Sequence, residues 1–196
     1  MLDLSNYPIF ENNKKTLKET SKDDPAGGEK IEYMTESEYP VISFDDVKNN
    51  YVKELGLSEI PRSNDALLAL PDGSLVFVEF KNGYLDKKDQ HDIRKKIFDS
   101  MLIFTDIVGE GISKTRKEMD YVLVYNQTKN PCETPNPKTA VAESSARDTI
   151  AKKLASLGNT SYAKFGLDIF KNYCFRDVYT YTTQDFEEEF LKKLTL

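Results

Sequence analysis

A chain of 196 residues with 39% hydrophobic and 31% charged residues fits one domain of ordinary size with a real core, and its composition excludes a disordered or membrane-embedded protein. Its formal net charge of -6 argues against a surface that coats nucleic-acid phosphates generally, which would be basic. No apolar run approaches a bilayer span, and Met1 to Pro8 shows no basic stretch followed by an apolar one, so a cytoplasmic location and no membrane partner are expected. Cys132, in a Pro-rich stretch, and Cys174, beside an aromatic run, have no metal-ligand spacing and read as reduced thiols.

Residues 1–30 are polar and end in Ser21 to Gly28, a composition that favours turns, so they read as a loosely packed N-terminal arm before a single domain over 31–196. Residues 31–34 and 39–42 are short apolar stretches of strand character. Ser43 stands as an N-cap, and the spacing of Phe44, Val47, Tyr51 and Leu55 predicts a helix that stops at Gly56, with Glu54 on the edge of its apolar face. Asp65 to Lys81 is apolar on both sides of Pro71-Asp72-Gly73 and predicts two strands buried on both faces. Ile93, Ile97, Met101, Phe104 and Val108 then recur at helical spacing from Asp86 to Gly109. Tyr121 to Tyr125 reads as a buried strand, Asn130 to Pro137 as a loop, and Glu143 to Leu157 as a helix closed by Gly158. A short helix near Leu167 to Tyr173, a strand near Phe175 to Thr182 and a C-terminal helix from Asp185 with Phe186, Phe190 and Leu194 inward complete the chain. Alternating helices and strands predict an α/β fold of three layers, α/β/α, around a central mixed sheet.

The turn fixes which charged residues meet. Leu70-Pro71-Asp72-Gly73 suits a type I turn with Gly73 at positive φ. Leu70 then pairs with Ser74, Asp65 faces Glu79 across the strands, and alternation puts Lys81 on the same face, with Leu67, Ala69, Leu75 and Phe77 continuing it into the core. Two carboxylates roughly 5 Å apart repel by on the order of 3 kcal/mol at an effective dielectric near 20. A divalent cation between them reverses that sign. Mg²⁺ prefers oxygen ligands, so Asp65, Glu79 and the Phe80 carbonyl form a candidate open site, with Lys81 beside it to position a water or offset charge on a phosphate.

These residues resemble the PD-(D/E)XK nuclease superfamily, whose core is a hairpin with an acid at the start of one strand and Glu-x-Lys on the next. The resemblance covers about residues 44–125. It implies a restriction-endonuclease-like fold, a Mg²⁺ or Mn²⁺ cofactor, and hydrolysis of phosphodiester bonds in nucleic acid, DNA before RNA. It places Asp65, Glu79 and Lys81 in the catalytic set. It also implies an acid from the preceding helix, which Glu54 matches, and a polar residue from the following one, which Gln90 matches. The literal Pro71-Asp72 does not fill the first-acid position, because Asp72 lies seven residues from Glu79, about 23 Å along an extended strand.

Acid-x-Lys also occurs at Asp46 to Lys48 and Asp86 to Lys88, so the strand context of Glu79 to Lys81 carries the signal. Lys87, Lys88, Arg94 and Lys95 lie in a locally basic helix and are the expected contacts to nucleic acid, with a homodimer open. His91 is the only histidine, which excludes His-rich metal sites. The competing expectation is a non-catalytic module of the same fold that acts by protein binding or regulation, for example in a defence or toxin system.

Overall fold

The computed structural model describes residues 2–24, 31–131 and 163–194. The loop of 132–137, Cys132 and the helix expected over Glu143 to Leu157 lie outside the described residues.

Strands Lys14–Thr16 (β1), Pro40–Ser43 (β4), Ala66–Ala69 (β5), Leu75–Lys81 (β6), Met119–Tyr125 (β7) and Asp177–Thr182 (β8) form one six-stranded sheet in the order β1-β4-β5-β6-β7-β8. The pairs from β1 to β6 are antiparallel, and those from β6 to β8 are parallel. Lys22–Asp23 (β2) and Glu32–Tyr33 (β3) pair separately. The sheet is mixed because β5 and β6 are joined by a tight turn, whereas β6 reaches β7 by way of helices Lys87–Val108 (α4) and Ile112–Glu118 (α5).

Helices cover both faces. One apolar cluster joins Leu67, Phe77 and Tyr121 of the sheet to Phe44 and Val47 of helix Phe44–Leu55 (α3) and to Ile93, Ile97 and Phe104 of α4. The other joins Leu68, Val76, Val78 and Val122 to Leu17, Phe186, Phe190 and Leu194. Two buried faces explain the continuous apolar sequence of β6 and β7. The α/β class with a mixed sheet and helices on both faces agrees with the sequence reading. Among the described residues no helix is long and apolar enough to cross a membrane.

Local chemistry sets the ends of these elements. Gly56 at φ 63 and Gly109 at φ 67 stop α3 and α4 in the left-handed region. Asp86 Oδ1 accepts from the Lys88 and Asp89 amides at 2.7 and 2.8 Å and starts α4. In the β5–β6 turn the Gly73 amide donates to the Leu70 carbonyl at 2.8 Å, and the Leu70 amide donates to Ser74 at 2.8 Å. Gly73 adopts φ 79. The ladder pairs Ala69 with Leu75, Leu67 with Phe77 and Ala66 with Val78, the register expected from the turn. Ala69, however, is exposed at the turn end and does not extend the core face.

The N-terminal segment differs from the loose arm expected. Phe10 and Leu17 are fully buried, β1 pairs with β4, and a capping box from Thr16 to Glu19 starts the helix Leu17–Thr20 (α2). Phe10 packs 6.0 Å from the Phe104 ring of α4. The segment is polar in composition because single apolar residues anchor it and its edge strand carries lysines.

Phe10→Ala should therefore cost about 3–5 kcal/mol in urea unfolding. A loss under about 0.5 kcal/mol, the range of an ordinary surface substitution, would show that this segment is not part of the core.

Candidate active site

Asp65 immediately precedes β5, and the ladder carries it to Glu79. The Asp65 amide donates to the Val78 carbonyl at 3.2 Å, and Asp65 Oδ2 accepts from the Phe80 amide at 2.6 Å. Phe80 thus contributes its N–H to the site. The Asp65 carbonyl accepts from the Phe44 amide at 3.1 Å, so α3 starts at the same spot. Glu79 is fully buried and points to the face covered by α4.

The charges that meet there are two acids and two lysines. Lys81 Nζ lies 3.2 Å from Glu79 Oε1. Lys96 Nζ, reaching down from α4, lies 2.6 Å from Glu79 Oε1 and 3.2 Å from Asp65 Oδ1. Its ammonium therefore bridges both carboxylates. Glu79 Oε2 is buried and has no hydrogen-bond partner among the described residues.

One ammonium shared by two acids satisfies itself more fully than it satisfies them. Burial opposes the charge on Lys96, but Asp65 and Glu79 outweigh it and hold its proton well above the ordinary lysine range. Burial first, and then the charge of Glu79, lift the Asp65 carboxyl to about 7 in spite of Lys96 and the Phe80 amide. Tyr121, fully buried on the same face of β7, is pushed well above its ordinary range by burial and by the charges of Glu79 and Asp65. It stays a neutral phenol, and its hydroxyl has no hydrogen-bond partner among the described residues.

The donor set fits a hard divalent cation in kind. Two carboxylates converge on one cation position, and a third buried carboxylate oxygen is without a donor among the described residues. It is a two-acid set: no group of three or more potential metal-ligating side chains forms among the described residues.

Other expected residues lie elsewhere. Glu54 is exposed near the end of α3, ten residues from the Phe44 amide that binds Asp65, or about 15 Å along the helix. Asp45, in the first turn, is the α3 acid whose charge is felt by both Asp65 and Lys96. Gln90 is half-buried in the first turn of α4, about 9 Å along the axis from Lys96. Its side chain makes no hydrogen bond to Asp65, Glu79 or Lys81. Arg94 donates to the Gly166 carbonyl at 3.2 Å. Lys87, Lys88 and Lys95 are exposed on α4. Asp72 accepts from the Ser74 amide and hydroxyl at 2.9 and 2.6 Å and serves the turn.

No protein-family model matches the chain, and no curated protein or solved structure matches it.

Lys96 is the residue that reading by motif passes over, since it sits in a basic run. The signal was its helical angle. At 100° per residue Lys96 falls between Ser100 and Ile103, both buried, on the inner arc of α4. A lysine there needs a buried acid.

Two outcomes follow. Lys96→Met should destabilise the protein by about 3–5 kcal/mol, because it removes the ammonium that bridges the two acids and, among the described residues, leaves only Lys81 beside Glu79. The double variant Lys96→Met/Glu79→Gln should recover part of that loss, and strictly additive losses in urea unfolding would contradict the bridge.

The pH dependence has a definite sign. Unfolded Asp65 titrates near roughly 4, whereas in the native state it titrates at about 7. Between these values folding takes up a proton, so this group's contribution to stability declines as pH rises and is smallest above about 7. In metal-free buffer the melting temperature of Asp65→Asn minus that of the wild type should increase from about pH 5 to about pH 8. A difference independent of pH would contradict the placement of the Asp65 proton.

Proposed function

We propose that this chain is a metal-dependent nuclease with a restriction-endonuclease-like fold. It would hydrolyse phosphodiester bonds of nucleic acid, DNA before RNA, at Asp65, Glu79 and Lys81. The observation that carries the reading is the convergence of Asp65 Oδ1 and Glu79 Oε1 on one cation, the Lys96 ammonium, at 3.2 and 2.6 Å. Asp65 and Glu79 are the residues that would hold Mg²⁺ or Mn²⁺, with the Phe80 carbonyl as a third ligand. Such a cation, when bound, lowers the pKa of a water and offsets charge on a phosphate.

The chain's own groups supply the rest. Lys81 keeps a side chain 26% exposed while touching Glu79, so it faces both the buried acid and solvent. From there its ammonium orients a nucleophile or neutralises charge developing on a phosphoryl oxygen. Lys87, Lys88 and Lys95 form a basic flank suited to a phosphate backbone, whereas Arg94 is engaged by Gly166. Lys96 competes with a divalent cation for the same oxygens and has to yield part of its contact when metal binds.

One observation favours a second reading. Asp65, Glu79, Lys81 and Lys96 form a set of two acids and two bases, and an internal ammonium already bridges the acids. A protein that uses the nuclease fold for binding or regulation has no need of more.

Thermal melting with Mg²⁺ or Mn²⁺ separates the two. The nuclease reading expects a rise in melting temperature equivalent to about 2.7 kcal/mol at a hundredfold excess over Kd, absent in Glu79→Gln. It also expects cleavage of labelled DNA to fall at least about 100-fold in Glu79→Gln and in Lys81→Ala, with both variants folded. A wild type that neither shifts nor cleaves, beside a Lys96→Gln variant that gains the metal shift, would establish Lys96 as the permanent counter-ion and the second reading as correct.

A further inference from the structure

Lys164 is a buried cation that the site described above does not use. The residue is 9% exposed, and its ammonium donates to the Tyr125 hydroxyl at 2.6 Å and lies 4.8 Å from that ring's centroid. No carboxylate lies within ion-pair distance of it among the described residues. Lysines are almost never buried without a counter-charge, because removing an ammonium from water is costly. A phenol and an aromatic face compensate only part of that cost.

The surrounding backbone is held in place for this side chain. The Lys164 amide donates to Thr180 Oγ1 on β8 at 3.1 Å. The next two residues are both left-handed, Phe165 at φ 61 and Gly166 at φ 66. A non-glycine residue there is strained, and such strain persists only where surrounding contacts fix it. Phe165 packs edge-on against Tyr125 at 5.2 Å, and Arg94 of α4 grips the Gly166 carbonyl. A Cβ on Gly166 would meet Arg94 Nη2 at 2.6 Å, so the loop and helix are in close register.

This lysine stands beside the candidate active site. Tyr125 is the register partner of Lys81 in the parallel β6–β7 ladder, which places the two residues on one face and about 5 Å apart at the backbone. Lys81 touches Glu79, and Lys164, whose amide meets Thr180 of β8, reaches the Tyr125 hydroxyl.

We propose that Lys164 and the Tyr125 hydroxyl, next to Lys81, form a binding subsite for a phosphate oxyanion, that of a backbone phosphate neighbouring the one to be cleaved. The subsite rests on the nuclease reading for the identity of its ligand, but not for its anion chemistry. The bound oxyanion supplies the counter-charge that no described residue gives Lys164, accepts from its ammonium, and shares Lys81 with the acids. It fixes the nucleic acid's register along the carboxyl ends of β6 and β7.

The test uses the full chain in EDTA, so that cleavage plays no part. One probe is inorganic phosphate, compared with chloride at equal ionic strength by thermal melting. The other is a labelled single-stranded oligonucleotide followed by anisotropy. Wild type should be stabilised by phosphate and should bind the oligonucleotide. Lys164→Gln should lose the phosphate shift and weaken oligonucleotide binding roughly tenfold, the loss of one charged contact. Lys164→Arg should restore most of both, and Lys53→Gln, an exposed lysine on α3, should change neither.

Retained phosphate stabilisation and oligonucleotide affinity in a folded Lys164→Gln overturns the proposal. A Lys164-dependent phosphate shift with no oligonucleotide binding overturns the backbone-phosphate assignment and leaves a site for free phosphate. If both probes depend on Lys164 while metal-dependent cleavage fails, the subsite stands and the nuclease reading falls. If Lys164→Gln does not fold, Gly166→Ala, which displaces the loop against Arg94, is the second variant and should weaken oligonucleotide binding in the same direction. Undiminished binding by that folded variant also counts against the subsite.

Discussion

The ammonium of Lys96 sits between the carboxylates of Asp65 and Glu79 and ties α4 to the sheet beside the apolar contacts of Ile93, Ile97 and Phe104. Glu79 is fully buried on the central strand. A carboxylate in that position is tolerable only with a hydrogen-bonded counter-charge at close range. That counter-charge comes from a helix in another layer, so the ion pair and the docking of α4 form together. Ser100, one turn further along α4, accepts the Asn64 amide at 2.8 Å and grips the chain just before Asp65. Two polar contacts one helical turn apart thus help to fix the rotation of α4 on the sheet.

This coupling explains why an acidic chain can carry a balanced centre. The two acids and two lysines of the cluster cancel formally, so the surplus of acidic residues lies elsewhere on the molecule. Net charge is a property of the whole surface, and a substrate responds to the field at the rim it approaches. Lys87, Lys88 and Lys95 are exposed on α4 in a chain whose formal total is -6.

Much of the framework was legible in the sequence because it is specified locally. Pro71, Asp72 and Gly73 dictate a turn, the turn dictates the pairing, and the pairing brings Asp65 to Glu79 without knowledge of any distant residue. Gly56 and Gly109 mark helix ends by the same local logic. Contacts made across layers were harder to read. Lys96 looks like one more base in a basic run until the arc of α4 that faces inward is known. Lys164 finds Tyr125 only after β7 and β8 have paired. Phe10 and Leu17 are isolated apolar residues in polar surroundings, and no periodicity reveals that each fills a place in a core built by later strands. Glu54 shows the converse. Its helical angle was suitable, but it sits at the wrong end of a helix whose first turn, with Asp45, abuts the site.

The central strand β6 runs antiparallel to β5 and parallel to β7. The start of β5 and the ends of β6, β7 and β8 therefore gather on one rim, and the Pro71 turn and the start of β7 lie on the other. The acids and lysines of the candidate site lie at the first rim, and the tight β5–β6 turn at the second. A lineage carrying this sheet is free to lengthen, shorten or decorate the turn rim while the acids and lysines keep their places. Change at the opposite rim meets residues drawn from four strands at once.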